Sequence, residues 1–193
     1  MRSSGRVVQG GRVWPRPGHR GRPLNFIVRP LGHMEPLPKV EDLAPKLRRL
    51  GITLPSGAVR VGGFGDSAEL SEELLSLIRT GVKRGGASLL WAHEAESEPV
   101  PSVGEVEIVV DHLNAPAIVT RITEVEVVPF NQVSATFAAR EGEGDGSLAY
   151  WRKEHWAYFS RECQRIGRVP TDTMPVVCSS FEVLNVVPVS QAV

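Results

Sequence analysis

The stretch IRTGVKRGGASLLW, residues 78–91, sets one flexible cation, Lys83, among Gly81, Gly85 and Gly86, with Arg84 beside it. Glycines clear side chains from the main chain, so such a segment suits a ligand that lies close to the backbone and carries negative charge. Arg84 would add a planar fork of donors for the same anion. The same residues also fit a structural reading, in which Gly81 caps a helix and Lys83 is a solvated loop charge.

A second concentration of chemistry lies in EGEGDGSLAYW, residues 141–151. Glu141 and Glu143 are proton acceptors or solvated loop charges. Ser147 follows a glycine and opens a helical pattern, so it is a natural N-cap, although the open amides of a helix start also bind phosphate. Tyr150 and Trp151 begin an amphipathic helix and at least one of them is expected in the core, while Trp156 and Tyr158 are read as packing residues first and as stacking platforms for a base second. Asp66 precedes another helix and reads as its cap. The five histidines do not cluster, and His155 falls on an apolar stripe where a core histidine is expected. His93, Glu94, Glu96 and Glu98 are ligand types for a divalent ion, but their spacing matches no metal motif. Cys163 and Cys178 are too few for a disulfide framework and lie in no zinc-type cluster.

These groups need elements to position them. VEDLAPKLRRL, residues 40–50, reads as a short helix ended by Gly51. In FGDSAELSEELLSLIRTG, Leu70, Leu74, Leu77 and Ile78 recur at spacings of three and four, Asp66 or Ser67 caps the start and Gly81 stops the helix. Residues 87–91 look like a strand leading into an acidic loop. Alternation in GEVEIVV, a DHLNAP turn and a second run to Phe130 predict a β-hairpin. A short helix over 132–140, a long helix from Ser147 to about Ile166 and a last strand in MPVVCSSFEVLNVV complete an α+β arrangement around a mostly antiparallel sheet.

Charge is unevenly placed. Residues 1–33 contain seven arginines, no lysine and no acidic residue, which leaves 15 basic against 22 acidic residues, a net −7, in 34–193. Bulk charge therefore gives no support for a broad basic nucleic-acid surface, though a local basic pocket is compatible with it. The Gly-, Pro- and Arg-rich 1–33 segment is read as a disordered extension, with Met34 the favoured start of the chain. With no run of about 20 apolar residues and no signal-peptide core, the expected location is the cytoplasm.

Four phrases together resemble the ASCH domain family: FGDSAELSEELLSLIRTGVKRGGASLLW, ITEVEVVPF, EGEGDGSLAYWRKEHWAYFSRE and MPVVCSSFEVL. The resemblance spans about Phe64 to Val187. It divides the chain into the 1–33 extension, a helical lead-in over 34–63, the domain over 64–187 and a tail over 188–193. It implies a fold similar to the PUA domain, a barrel-type, mostly antiparallel sheet with flanking helices that handles RNA, nucleotides or modified nucleosides. It also implies a cleft where a Gly-x-Lys-x-x-Thr/Ser motif faces acidic and hydroxyl residues.

Gly81 and Lys83 match that motif, but Gly86 stands at the hydroxyl position, which members acting as amidohydrolases on acetylated cytidine use as a nucleophile. Ser88 would point to the same strand face about 6.6 Å away, too far for Lys83 to activate it. For RNA cleavage the resemblance weights Lys83 as the cation and Ser147. Glu141 or Glu143 would accept the proton, Tyr150 would orient the sugar, and Asp66, Gly81, Arg84, Gly85 and Gly86 would contact the ligand. The expected function is RNA or nucleotide binding with ribonuclease activity as one form; an amidohydrolase on a modified nucleoside such as N4-acetylcytidine and a non-catalytic module are the alternatives. No cofactor is evident, and a divalent metal and the oligomeric state stay open.

Overall fold

The structure is a computed structural model that describes residues 37–188 and, ahead of them, the two-residue strands β1 (Val8–Gln9) and β2 (Arg12–Val13), which pair antiparallel. The disorder expected for 1–33 otherwise lies outside the described residues, as does the tail beyond 188. Helix α1 (Val40–Arg49) buries Leu43 and Leu47 and accommodates Pro45 within its length. Strand β3 (Val59–Gly63) follows, a correction to the loop expected there. VRVGG offers only two alternating apolar residues before its glycines, a pattern too short to signal a strand.

Helix α2 (Ala68–Arg79) starts at Ser67, whose Oγ accepts from the Leu70 amide, so Ser67 and not Asp66 is the cap. Strand β4 (Gly85–Leu89) runs straight into helix α3 (Leu90–Glu96), where strand and then acidic loop were expected. The residues of α3 include Leu, Ala and Glu, good helix formers, and the helix ends at Ser97 with φ 56°. The hairpin of β5 (Val106–Val110) and β6 (Pro116–Pro129) is as expected. Asp111 Oδ1 accepts from the Leu113 and Ala115 amides in its turn. A 3-10 turn (Phe130–Gln132), α4 (Ala135–Glu141), α5 (Leu148–Arg165) and β7 (Pro175–Val186) follow.

The main sheet has the order β3-β5-β6-β7-β4. Only β3 and β5 are parallel; the other pairs are antiparallel. Register shifts between Val119 and Thr120 and between Ile122 and Glu124 interrupt the long β6–β7 ladder. Such irregularities bend strands, and the sheet curls into a half-barrel.

Three apolar clusters hold the helices to this sheet. Trp151 and Phe159 of α5 pack with Phe130, Phe137, Met174 and Val176. Leu43 and Leu47 of α1 meet Val61, Val106 and Ile108. Leu75 and Ile78 of α2 meet Val109, Ile118 and Phe181. Each fully buried Leu or Ile contributes roughly 1.5–3 kcal/mol of transfer free energy. The α2 contacts fix where that helix ends, and so where Lys83 emerges.

Candidate functional site

Lys83 is pinned from both directions. Behind it, the Val82 and Lys83 amides both donate to the Leu77 carbonyl and close the end of α2. Ahead of it, the Arg84 amide donates to the Arg140 carbonyl and the Arg84 carbonyl accepts from the Phe181 amide. The side chain is 1% exposed, and Nζ lies 2.7 Å from Glu141 Oε2 and 2.6 Å from Glu143 Oε1. Its ammonium also sits 5.2 Å from the centre of the Phe64 ring, within cation–π range.

The two carboxylates converge because Gly142 ends α4 between them in a left-handed conformation, φ 63°. A Cβ there would meet the Val82 carbonyl oxygen at 2.7 Å, so the position demands glycine for space as well as for φ. Glu141 is 1% exposed, and both its oxygens are engaged. Oε1 accepts from Trp151 Nε1 at 2.9 Å and faces His155 Nε2 at 3.5 Å, while Oε2 takes Lys83. Burial works against its charge, but Lys83, His155 and Trp151 outweigh burial and hold the carboxyl at about 2. For Lys83, burial likewise opposes the charge, and Glu141 and Glu143 overcome it and raise the pKa. The lysine is therefore a fixed ammonium at neutral pH, an electrostatic group and not a base.

Beside this cluster opens a cavity of about 220 Å³. Phe64, Leu70, Leu74, Ile122 and Phe181 give it apolar wall. Lys83, Glu141, Glu143, Tyr150 and His155 border it, as do Arg60, Glu107 and the hydroxyls of Ser88 and Ser179. Three basic side chains, Arg60, Lys83 and Arg161, share the lining with five acidic ones, Asp66, Glu107, Glu141, Glu143 and Glu154. Asp66 is tied to Arg161 of α5. Burial, together with Glu105, pushes the Glu107 carboxyl up despite Arg60.

Among the residues singled out in the sequence, the structure brings Lys83, Glu141, Glu143, Tyr150, Asp66 and Gly86 to the cavity. A Cβ at Gly86 would meet the Phe64 ring at 3.1 Å, so the missing side chain leaves room for that ring. Ser88, Tyr158 and His155 line it as well, and the rest lie elsewhere. Arg84 turns back to α2, its guanidinium donating to the Ile78 and Lys83 carbonyls. Gly81, φ 86°, ends α2, and Gly85 is buried beside Phe137 and Glu141. Ser147 caps α5, accepting from the Tyr150 amide at 3.1 Å, and is outside the cavity lining. His155, read as a core residue, stacks on Trp151 at 4.1 Å and also lines the cavity. Arg60 carried no sequence signal, since β3 was read as a loop, and Glu107 read only as a polar residue in the alternation of β5.

Glu141, Glu143 and His155 offer ligand atoms within 4.8 Å of one another. The Lys83 ammonium already stands between the two carboxylates, so a metal ion there would have to displace it.

A model of the ASCH domain matches residues 60–185, which include β3, the Lys83 segment, both carboxylates and the final strand. The chain belongs to the ASCH domain family. It is similar to the ASCH domain of Lactobacillus crispatus JV V101, with 29% identity and a TM-score of 0.67 over 78% of this chain and 98% of that one. It is also similar to protein EF3133 of Enterococcus faecalis V583, at 32% identity and a TM-score of 0.64 over 76% and 88% of the two chains. No curated protein matches the sequence. No helix of the ASCH domain described here is long and apolar enough to cross a membrane.

Proposed function

We propose that this ASCH domain binds one nucleoside-sized, uncharged unit, either a modified nucleoside or an unpaired base of RNA, in the cavity beside Lys83. The observation that carries the reading is the enclosure of the Lys83 ammonium by two carboxylates at 2.7 and 2.6 Å. A lysine neutralised in this way has little attraction left for a phosphate, and five acidic groups around the lining oppose one further. What the cavity does offer is apolar wall for a flat ring and buried polar groups for the ring's edge. Its volume of about 220 Å³ falls below the ~300–1,000 Å³ of drug-sized sites, which suits a single unit over a stretch of chain.

The same pairing weighs against the ribonuclease form of the function. Attack of a ribose hydroxyl on phosphorus needs a cation free to take up developing charge, and Lys83 is already committed. Product analysis over time with single-stranded RNA and with N4-acetylcytidine tests the reading. RNA is expected to stay intact while the nucleoside binds. RNA cleavage that disappears in Lys83→Ala would replace the reading with phosphoryl chemistry.

A further inference from the structure

Ser88 and His93 also belong to this part of the molecule and have no role in the Lys83 cluster. Ser88 lies on β4, two residues past Gly86 and on the same face, half-buried and lining the cavity. Its Oγ is 2.9 Å from Nε2 of His93, which comes from α3 and is 4% exposed. A hydroxyl and a neutral imidazole at that separation are the two members of an activated nucleophile. When the hydroxyl donates, Nε2 accepts and the ring proton sits on Nδ1, on the side of the Glu98 main chain. Lys83 is engaged by Glu141 and Glu143, and the hydroxyl has a base of its own.

We infer that Ser88 is a nucleophile and His93 its base, and that the cavity takes an acylated ligand whose acyl group passes to Ser88 and then to water. The inference rests on the reading of the cavity as a nucleoside-sized pocket. Ser88 Oγ attacks the acyl carbon as its proton moves to His93 Nε2. The C–N or C–O bond of the ligand then breaks, and His93 returns the proton to the leaving nitrogen or oxygen. Water attacks the acyl-serine, giving its proton to His93, and release of the free carboxylic acid restores the Ser88 hydroxyl. No oxidant or other co-reactant is needed.

The charges around His93 shape this chemistry. Arg60 approaches from β3 and is itself faced by Glu105, just before β5, and by Glu107 on β5, while Glu98 follows α3. Burial first, then Arg60, hold the imidazole at about 4, so it is neutral and able to accept at physiological pH. A base this weak favours good leaving groups, such as esters or acyl groups on an aromatic amine, over peptide amides. Arg60 also lines the cavity, and Glu105 pairs with its guanidinium at 3.7 Å. A purely structural role, the bond tying β4 to α3, would yield no covalent adduct.

The full chain treated with p-nitrophenyl acetate, followed by peptide mass spectrometry, tests the assignment. Acetyl is expected on Ser88, absent in Ser88→Ala, and formed at least about a hundredfold more slowly in His93→Gln. The wild-type rate should be flat through neutral pH and fall as the pH approaches about 4. Ser88 left unmodified while surface lysines react, or labelled equally in His93→Gln, overturns the inference. Calorimetry with N4-acetylcytidine on wild type and Ser88→Ala separates the two readings and checks that the variant is folded. Nucleoside binding without acetyl-Ser88 defeats the nucleophile and keeps the pocket. Acetyl-Ser88 without nucleoside binding does the reverse.

Discussion

Lys83→Met removes the ammonium from between Glu141 and Glu143 and leaves the Glu141 carboxylate buried with Trp151 and His155 as its remaining partners. Stranding one member of a buried ion pair costs about 3–5 kcal/mol, so urea denaturation should show a loss of that order. Adding Glu141→Gln, which removes the stranded charge, should recover much of it. Two titrations add a pH dependence of defined sign. His93 has its folded value depressed from 6.5 to about 4, so between those values the unfolded chain binds a proton that the folded chain refuses. Stability therefore falls as pH drops through that window, by about 2 kcal/mol between roughly pH 7 and 5. His93→Gln should flatten this slope in urea midpoints measured across it. Glu141, depressed from 4.5 to about 2, contributes stability above its ordinary value that is lost as pH falls further, through about 2.

The positions of these groups depend on how helices end. Gly142 closes α4 so that consecutive carboxylates turn to one lysine, and a side chain there meets both the left-handed φ and the Val82 carbonyl. Gly142→Ala should cost at least about 1–2 kcal/mol in thermal or urea unfolding and displace Glu143 from Lys83. Gly81 ending α2, Ser147 opening α5 and the DHLNAP turn were legible because each rests on a local signal of one or a few residues. The strand β3 and the helix α3 were not. β3 is too short to show a period, and it gains its place from parallel pairing with β5, more than forty residues later in the chain. The helix α3 begins directly after β4 with no glycine or proline between them, so Leu89 and Leu90 read as one strand. Arg60, which β3 carries, was missed for the same reason, and His93, which α3 carries, was read as part of an acidic loop and weighed only as a metal ligand. Arg84 was misplaced because its type suggested an anion, whereas the carbonyls at the end of α2 claim its guanidinium.

The whole chain joins an acidic folded part to an arginine-rich beginning, and the enclosed pocket follows the folded part's character. Family and sheet class were readable because several phrases along the chain agree with one another. The electrostatic sense of the pocket was not, since it depends on Glu141 and Glu143 reaching back across the fold to Lys83, contacts separated by 58 and 60 residues. On the proposed function, those contacts turn the pocket from recognition of a phosphate to recognition of a base. The measurement that tests this most directly is calorimetric titration of the full chain with N4-acetylcytidine, cytidine and cytidine monophosphate at about 50 and 200 mM salt. The nucleosides are expected to bind as tightly as the monophosphate or tighter, with affinity nearly unchanged by salt. Tighter binding of the monophosphate that weakens steeply with salt would contradict the account and return Lys83 to the role of a phosphate-binding cation.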